Sequence, residues 1–210
     1  MDTRNLIVGT QSLYDGNLIT QRGDAQGNGC VSFGNGYYYE AANRGKLFTI
    51  ANQAGVTSQA GLSATTPVLT LYNPAGSGIN AALVYAGATF NVAFATASAI
   101  YLAANTTLTA AAVTGTNCTG MRNCKLGGAA PALTPLLAAT LPAAPVAIDL
   151  LGVGLTGAIT TVPYLQTVEK WYNGLIILQP GSAVTIQTGV ASGASGMWCS
   201  FIWEEITIPA

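Results

Sequence analysis

The chain has 210 residues and a formal net charge of −1, and only 7% of its side chains are charged although half are hydrophobic. It has neither a basic cluster nor an acidic tail, so its charge gives no support to binding of nucleic acid or of a membrane surface. It also has no histidine, which excludes Ser-His-Asp and Cys-His catalysis and most zinc chemistry.

The few charges are unevenly placed. Eight of them lie in the first 46 residues, and none lies between Lys46 and Arg122, whereas an ordinary soluble domain is about 25% charged. Either copies of the chain or a scaffold cover much of the surface, or the surface is a neutral one of Thr, Ser, Asn and Gly. We favour the first explanation, because a free monomer normally needs a charged surface to stay apart from its neighbours.

Residues 1–46 differ from the rest of the chain. They are rich in Gly, Asn, Gln and Tyr, and turn signals such as Gly34-Asn35-Gly36 are dense. We expect an extended N-terminal arm or small subdomain here, in which Tyr37, Tyr38 and Tyr39 pack on a neighbour; an ordinary loop-rich edge is the alternative. The first residues contain no secretory signal, which indicates synthesis in the cytoplasm.

Residues 47–210 predict a mostly β body. The segments with strand character are Leu47–Ile50, Pro67–Tyr72, Ile79–Phe90, Val92–Leu102, Leu175–Leu178, Ala183–Thr188 and Met197–Ile208, with weaker candidates at Ala147–Leu151, Leu155–Val162 and Val168–Tyr172. Leu126–Pro145 contains four prolines and predicts an ordered, extended connection. Short strands with Gly/Pro turns, and no long amphipathic helix, predict an antiparallel β-sandwich or jelly roll.

The last strands carry the clearest patterns. Ala183–Thr188 alternates as a strand with one dry face does. Met197–Ile208 has aromatic residues on both faces, which predicts a central strand covered on both sides. Glu204 and Glu205 point to opposite faces of that strand, so they cannot form a catalytic pair, and we expect both to lie at its solvated or interface-facing end.

No motif in the sequence supports catalysis, a cofactor or a metal. Gly152 to Gly157 matches GxGxxG, but the residues that follow predict a strand and a break, so we interpret it as a glycine-rich loop. Cys118 and Cys124 are close enough in sequence to form a disulfide, although free thiols are expected in a reducing cytosol. We do not expect an enzyme.

Three further segments are similar to a known class of protein. They are Lys46-Leu47-Phe48-Thr49 with Asn52 to Thr57, the run from Leu71-Tyr72-Asn73-Pro74 to Gly78, and the stretch from Pro180-Gly181-Ser182 through Gly193 to Gly196 up to Trp203-Glu204-Glu205. Together they resemble small structural proteins of tailed phages, of the capsid cement or decoration kind. The resemblance covers residues 46 to 208, and no part of residues 1–45 contributes to it.

The resemblance implies a jelly-roll or β-sandwich homotrimer on the capsid surface of a virion, with the major capsid protein as its partner. In that role each copy bridges capsid subunits and stabilises the head. A second interpretation is a phage head-fibre or a receptor- or carbohydrate-binding β-sandwich module. Such a module needs an exposed aromatic platform, for which Trp171-Tyr172 and Tyr37 to Tyr39 are the candidates.

Overall fold

Antiparallel β-strands make up nearly all of the regular structure. The computed structural model describes residues 36–106, 108, 113–154, 166–193 and 196–208. Within these residues the elements are α1 (Tyr39–Asn43), β1 (Leu47–Ala51), β2 (Thr70–Asn73), β3 (Ile79–Phe90), β4 (Ser98–Asn105), β5 (Thr114–Asn117), β6 (Arg122–Asn123), β7 (Thr134–Thr140), β8 (Val146–Gly154), β9 (Gln166–Leu178), β10 (Ser182–Thr188) and β11 (Met197–Thr207).

The strands form two sheets. One has five strands in the order β6-β1-β11-β3-β9, and the other has six in the order β5-β7-β2-β10-β4-β8. Every pairing between named strands is antiparallel. Strands β9 and β8 are therefore edge strands of different sheets.

The core lies between the two sheets, where the inner faces interdigitate. Phe48 and Trp203 contribute stacked rings, 5.8 Å apart, from the five-stranded sheet. Leu71 and Ile186 meet them from the six-stranded sheet, and both are fully buried. This confirms the prediction of a mostly β protein with a sandwich of two antiparallel sheets.

The sequence patterns predict that β10 is buried on one face and β11 on both, but the structure shows the opposite. All residues in 183–188 are buried, because the segment between β1 and β2 lies against β10: Gln187 Nε2 donates to Ser63 O at 3.1 Å, and Thr188 Oγ1 donates to Gln59 O at 3.1 Å. β11 is central, as predicted, but burial alternates along it and its outer face is half-exposed. The prediction that both faces of β11 are covered was therefore wrong.

Several strand boundaries differ from those expected. Residues 134–140 form strand β7 inside the predicted connection, with Pro135 near its start, where a missing N–H is tolerated. β4 begins at Ser98 rather than at Val92. The turn at Pro180-Gly181 is confirmed: Gly181 has φ +80°, and Ser182 N donates to Gln179 O at 3.1 Å.

By its internal contacts the chain divides into two units, residues 1–39 and residues 40–210. Of the first unit the structure describes only residues 36–39, so most of the predicted N-terminal arm lies outside the described residues. The second unit contains both sheets.

Candidate functional site: the outer surface of strands β8 and β9

The outer face of the five-stranded sheet carries an ordered set of aromatic, hydroxyl and carboxylate side chains. Residues two apart on a strand share a face, and the register places three strands side by side. On this face the residues of β11, β3 and β9 form three neighbouring rows. The rows are Trp198–Thr89–Thr167, Ser200–Gly87–Glu169 and Ile202–Tyr85–Trp171.

Tyr85 and Trp171 are the aromatic centre of this face. Their ring centroids lie 5.0 Å apart in an edge-to-face arrangement, and Tyr85 OH donates to Glu169 Oε2 at 2.9 Å. The Tyr85 ring lies over Gly87, where a Cβ would collide with the Tyr85 hydroxyl. Burial raises the pKa of Tyr85, and the hydrogen bond to Glu169 raises it further. We call Tyr85, Trp171, Glu169, Thr89 and Thr167 the aromatic platform.

A bulge in β9 shapes the surface beside Trp171. Residues 172–175 lie opposite a single residue of β3, and Asn173 and Gly174 have φ of 51° and 85°, a region that Asn and Gly enter most readily. The segments Val168–Tyr172 and Leu175–Leu178, predicted as separate strands on either side of Asn173-Gly174, therefore belong to one long strand. The bulge leaves Leu175 83% exposed, and Ile177 on the same face is 56% exposed.

The edge strands β8 and β9 are joined by a polar cluster. Asp149 Oδ2 lies 2.8 Å from Lys170 Nζ, and Tyr172 OH donates to the same oxygen at 2.8 Å. The hydrogen bond from Lys170, helped by those from Tyr172 and the Leu150 backbone, lowers the pKa of Asp149. Burial raises the pKa of Tyr172, and its bond to Asp149 adds to the effect. The cluster fixes the two edge strands against each other.

Strand β8 exposes apolar side chains on both of its faces, and its pairing with β4 is interrupted by two bulges. Its charged residue, Asp149, is turned toward Lys170. We use the name β8–β9 surface for the exposed apolar side chains of these two strands. They are Val146, Ile148, Leu150 and Val153 of β8 and Leu175 and Ile177 of β9.

The aromatic residues expected at an interface differ in their exposure. Tyr37, Tyr39 and Trp171 are exposed, and Trp171 is 55% exposed. Tyr38 is half-buried, with its ring 4.8 Å from that of Tyr37. Tyr172 is buried in the core, because it lies on the inner face of β9, so the expected Trp171-Tyr172 platform does not exist. The ring that pairs with Trp171 is that of Tyr85 instead. The sequence did not predict this pair, because it depends on the register between β3 and β9.

Cys118 and Cys124 are free thiols, so the possible disulfide is not formed. Cys118 follows β5 of the six-stranded sheet and is buried, with its Sγ donating to Ala51 O at 3.7 Å. Cys124 follows β6 of the five-stranded sheet, and its backbone N donates to Leu47 O. The segment between the two cysteines therefore passes from one sheet to the other.

The two adjacent acids of β11 have different environments. Glu204 is half-exposed, as expected, but Glu205 is buried. The Glu205 carboxylate accepts hydrogen bonds from the backbone N of Ala132 at 2.9 Å and of Leu133 at 3.1 Å, and from Trp203 Nε1 at 3.2 Å. The prediction that Glu205 is solvated or at an interface was wrong, because these donors replace water.

Two glycines of the GxGxxG match lie in the part of the chain that the structure describes, and neighbouring side chains pack closely against both. Gly152 and Gly154 belong to strand β8 rather than to a loop. A Cβ on Gly152 would lie 2.7 Å from Val168 Cγ1, and one on Gly154 would collide with the Phe94 ring. Residues 155–157 lie outside the described residues.

Within the described ranges, no three His, Cys, Asp or Glu side chains are grouped so that they could hold a metal ion. No helix among these residues is long and apolar enough to span a membrane. Comparisons of the chain with protein-family models, with curated proteins and with solved structures found no match.

Proposed function

We propose that the protein is a non-enzymatic structural protein of a virion, a cement or decoration protein that forms a trimer on the capsid surface. In this role each copy bridges neighbouring subunits of the major capsid protein. The observation that carries the proposal is the β8–β9 surface, which a protein partner would cover.

The β8–β9 surface has the features of a surface that becomes buried in an assembly. Leu150 is 58% exposed and Leu175 is 83% exposed, and both lie on edge strands. Soluble monomers usually protect edge strands with charges or by covering them, whereas these two edge strands expose six large aliphatic side chains. The two bulges of β8 interrupt its ladder, so we expect side-chain packing rather than strand addition to hold the partner.

The electrostatics of this region also support burial. Asp149 and Lys170 neutralise each other across β8 and β9, so covering the surface leaves no unpaired charge from this pair. An unpaired charge would oppose burial strongly, whereas a neutralised pair does so much less.

The proposed action is mechanical. A protein that binds the assembled shell but not its separate subunits stabilises the shell by mass action. Apolar area on edge strands at one side of the sandwich gives each copy a way to contact a second copy and the shell beside it.

The first experiment measures the mass of the purified protein by light scattering at micromolar concentration. We expect about three times the 21.3 kDa of the single chain. The variant Leu150→Glu places a charge in the β8–β9 surface, and its mass should fall to that of the monomer. The matched control is Thr116→Glu on β5, the opposite edge strand of the same sheet, which should retain the wild-type mass. A monomeric wild type would refute self-association.

The second experiment tests the location. Virus particles purified from cells that produce the protein are labelled with an antibody against it and imaged by electron microscopy. We expect label at the junctions between capsomers, and removal of the protein should lower the temperature at which particles release their genome. Particles without label would contradict the virion assignment even if the protein were trimeric.

A further inference from the structure

We propose that the aromatic platform is a binding site for a neutral oligosaccharide. It lies on the outer face of the five-stranded sheet, beside the β8–β9 surface but made of different residues. The inference goes beyond the capsid role, because a shell protein does not require a sugar site.

The platform is held in place before any ligand arrives. Tyr85 is held by its hydrogen bond to Glu169, and its ring occupies the space that the missing side chain of Gly87 leaves open. The rings of Tyr85 and Trp171 are also in edge-to-face contact. All these residues are on strands rather than loops. A rigid site loses little conformational entropy on binding, and aromatic side chains give large contact area with few rotatable bonds.

The chemistry of the platform matches the two-sided character of a sugar ring. A pyranose has an apolar C–H face and a rim of hydroxyl groups. The exposed ring of Trp171 offers the flat apolar surface for the first. For the second, Glu169 Oε1 is not used by the bond from Tyr85, and Thr89 and Thr167 place exposed hydroxyls 3.0 Å apart on the same face. A carboxylate that accepts from hydroxyl groups makes strong hydrogen bonds.

The length of the platform and the charges around it limit the class of ligand that it can bind. Trp171 and Thr167 are four residues apart on one strand, about 13 Å at the rise of an extended chain, which favours an oligosaccharide over a single sugar. The charges nearest to the platform on this face are Glu169 and, on β11, Glu204, whereas Arg122 of edge strand β6 lies in the same row as Tyr85 but three strands away. Lys170 lies on the other face of β9, bound to Asp149. Sialylated, sulfated and phosphorylated ligands would therefore be repelled.

A neutral oligosaccharide fits this site better than a protein segment does. At the end of the face that holds Thr89, Thr167 and Glu169, exposed polar side chains lie beside the half-exposed ring of Trp198. The aliphatic side chains of Leu175 and Ile177 lie beyond the bulge. Hydroxyl-rich ligands gain from such alternating polar groups, while protein interfaces bury an apolar centre.

The test is a glycan array of neutral and sialylated oligosaccharides probed with the purified full chain, followed by calorimetric titration with the best neutral ligand. We expect binding to neutral members only. Trp171→Ala and Glu169→Gln should each weaken it at least about tenfold, and Thr167→Val by a smaller factor. Leu126→Ala, at an exposed leucine that belongs neither to the platform nor to the β8–β9 surface, is the matched control and should bind as the wild type does.

The possible results separate this inference from the capsid role. Leu150→Glu should dissociate the assembly and leave sugar binding unchanged. No neutral ligand bound at millimolar concentration, binding limited to sialylated glycans, or binding insensitive to Trp171→Ala and Thr167→Val alike would each overturn the sugar site. None of these results alters the mass of the assembly. Circular dichroism of each variant checks that its fold is intact.

Discussion

Inside the sandwich the indole Nε1 of Trp203 donates a hydrogen bond to the carboxylate of Glu205, 3.2 Å away. Trp203 is fully buried and Glu205 is 7% exposed. The same carboxylate receives the backbone N–H groups of Ala132 and Leu133. One side chain of β11 thereby holds the segment that enters β7, which belongs to the other sheet.

Glu205→Gln should destabilise the fold by about 1–3 kcal/mol, because the amide has one acceptor and its NH₂ group faces buried donors. Glu204→Gln is the matched control, one residue away on the half-exposed face, and should change stability by less than about 0.5 kcal/mol. Urea unfolding at neutral pH gives both values. Equal effects of the two substitutions would contradict the role assigned to Glu205.

Asp149→Asn should lower stability near pH 7 by up to about 1 kcal/mol, since its partner Lys170 is half-exposed and the pair is screened. The pKa of Asp149 is lowered in the folded state, chiefly by Lys170. Its contribution is therefore complete above the unfolded pKa and is lost as the pH falls through the folded value. The difference between wild type and variant should shrink below about pH 4.

Thermal unfolding of both proteins from pH 7 to pH 2.5 measures this difference. Glu40→Gln is the control, because its ion pair with Arg44 is exposed on both sides and should contribute nothing measurable. A difference between wild type and Asp149→Asn that grows toward low pH would show that the sign is wrong.

Gly154→Ala should cost about 1–3 kcal/mol, because the added methyl group meets the fully buried ring of Phe94. Gly87→Ala meets the hydroxyl end of the half-buried Tyr85 side chain, which the added methyl group would displace at the loss of its hydrogen bond to Glu169. We expect it to cost less than about 1 kcal/mol and to change the fluorescence of Trp171, whose neighbouring ring has moved. A larger cost at Gly87 than at Gly154 would contradict this packing.

The cysteines should react in a fixed order. In a Cys30→Ser background, the native protein should expose one slowly reactive thiol to an aromatic disulfide reagent, that of half-buried Cys124, whose pKa burial raises. Cys118 and Cys199 are buried and should react only on unfolding. Cys124→Ser should remove the native reaction. A mass that shows Cys118 bonded to Cys124 would contradict the free thiols.

Local patterns predicted the elements whose structure depends on neighbours in sequence. The alternation of Met197–Ile208 identified strand β11, and Pro180-Gly181 identified a turn, because both follow from backbone preferences within a few residues. Asn173-Gly174 was misleading for the same reason: left-handed φ values suit a bulge as well as a turn.

The features that depend on distant residues were not predictable from one sequence. Tyr85 meets Trp171 through the register of β3 and β9. Glu205 is buried because a segment about 70 residues earlier brings its backbone N–H groups to it. Alternation shows that a strand has two faces, but the path of the rest of the chain decides which face is covered.

The place of β11 between β1 and β3 has a consequence for synthesis. Until residues 197–207 have left the ribosome, the two strands that they will join present unpaired backbone edges and uncovered core side chains to the cell. The six-stranded sheet contains no residue of β11 and can pair earlier, but the five-stranded sheet that covers its inner face stays incomplete, and such an intermediate is prone to aggregate. The rate of translation should therefore determine how much protein is recovered in soluble form. The presence of a chaperone that shields open strands should have the same kind of effect.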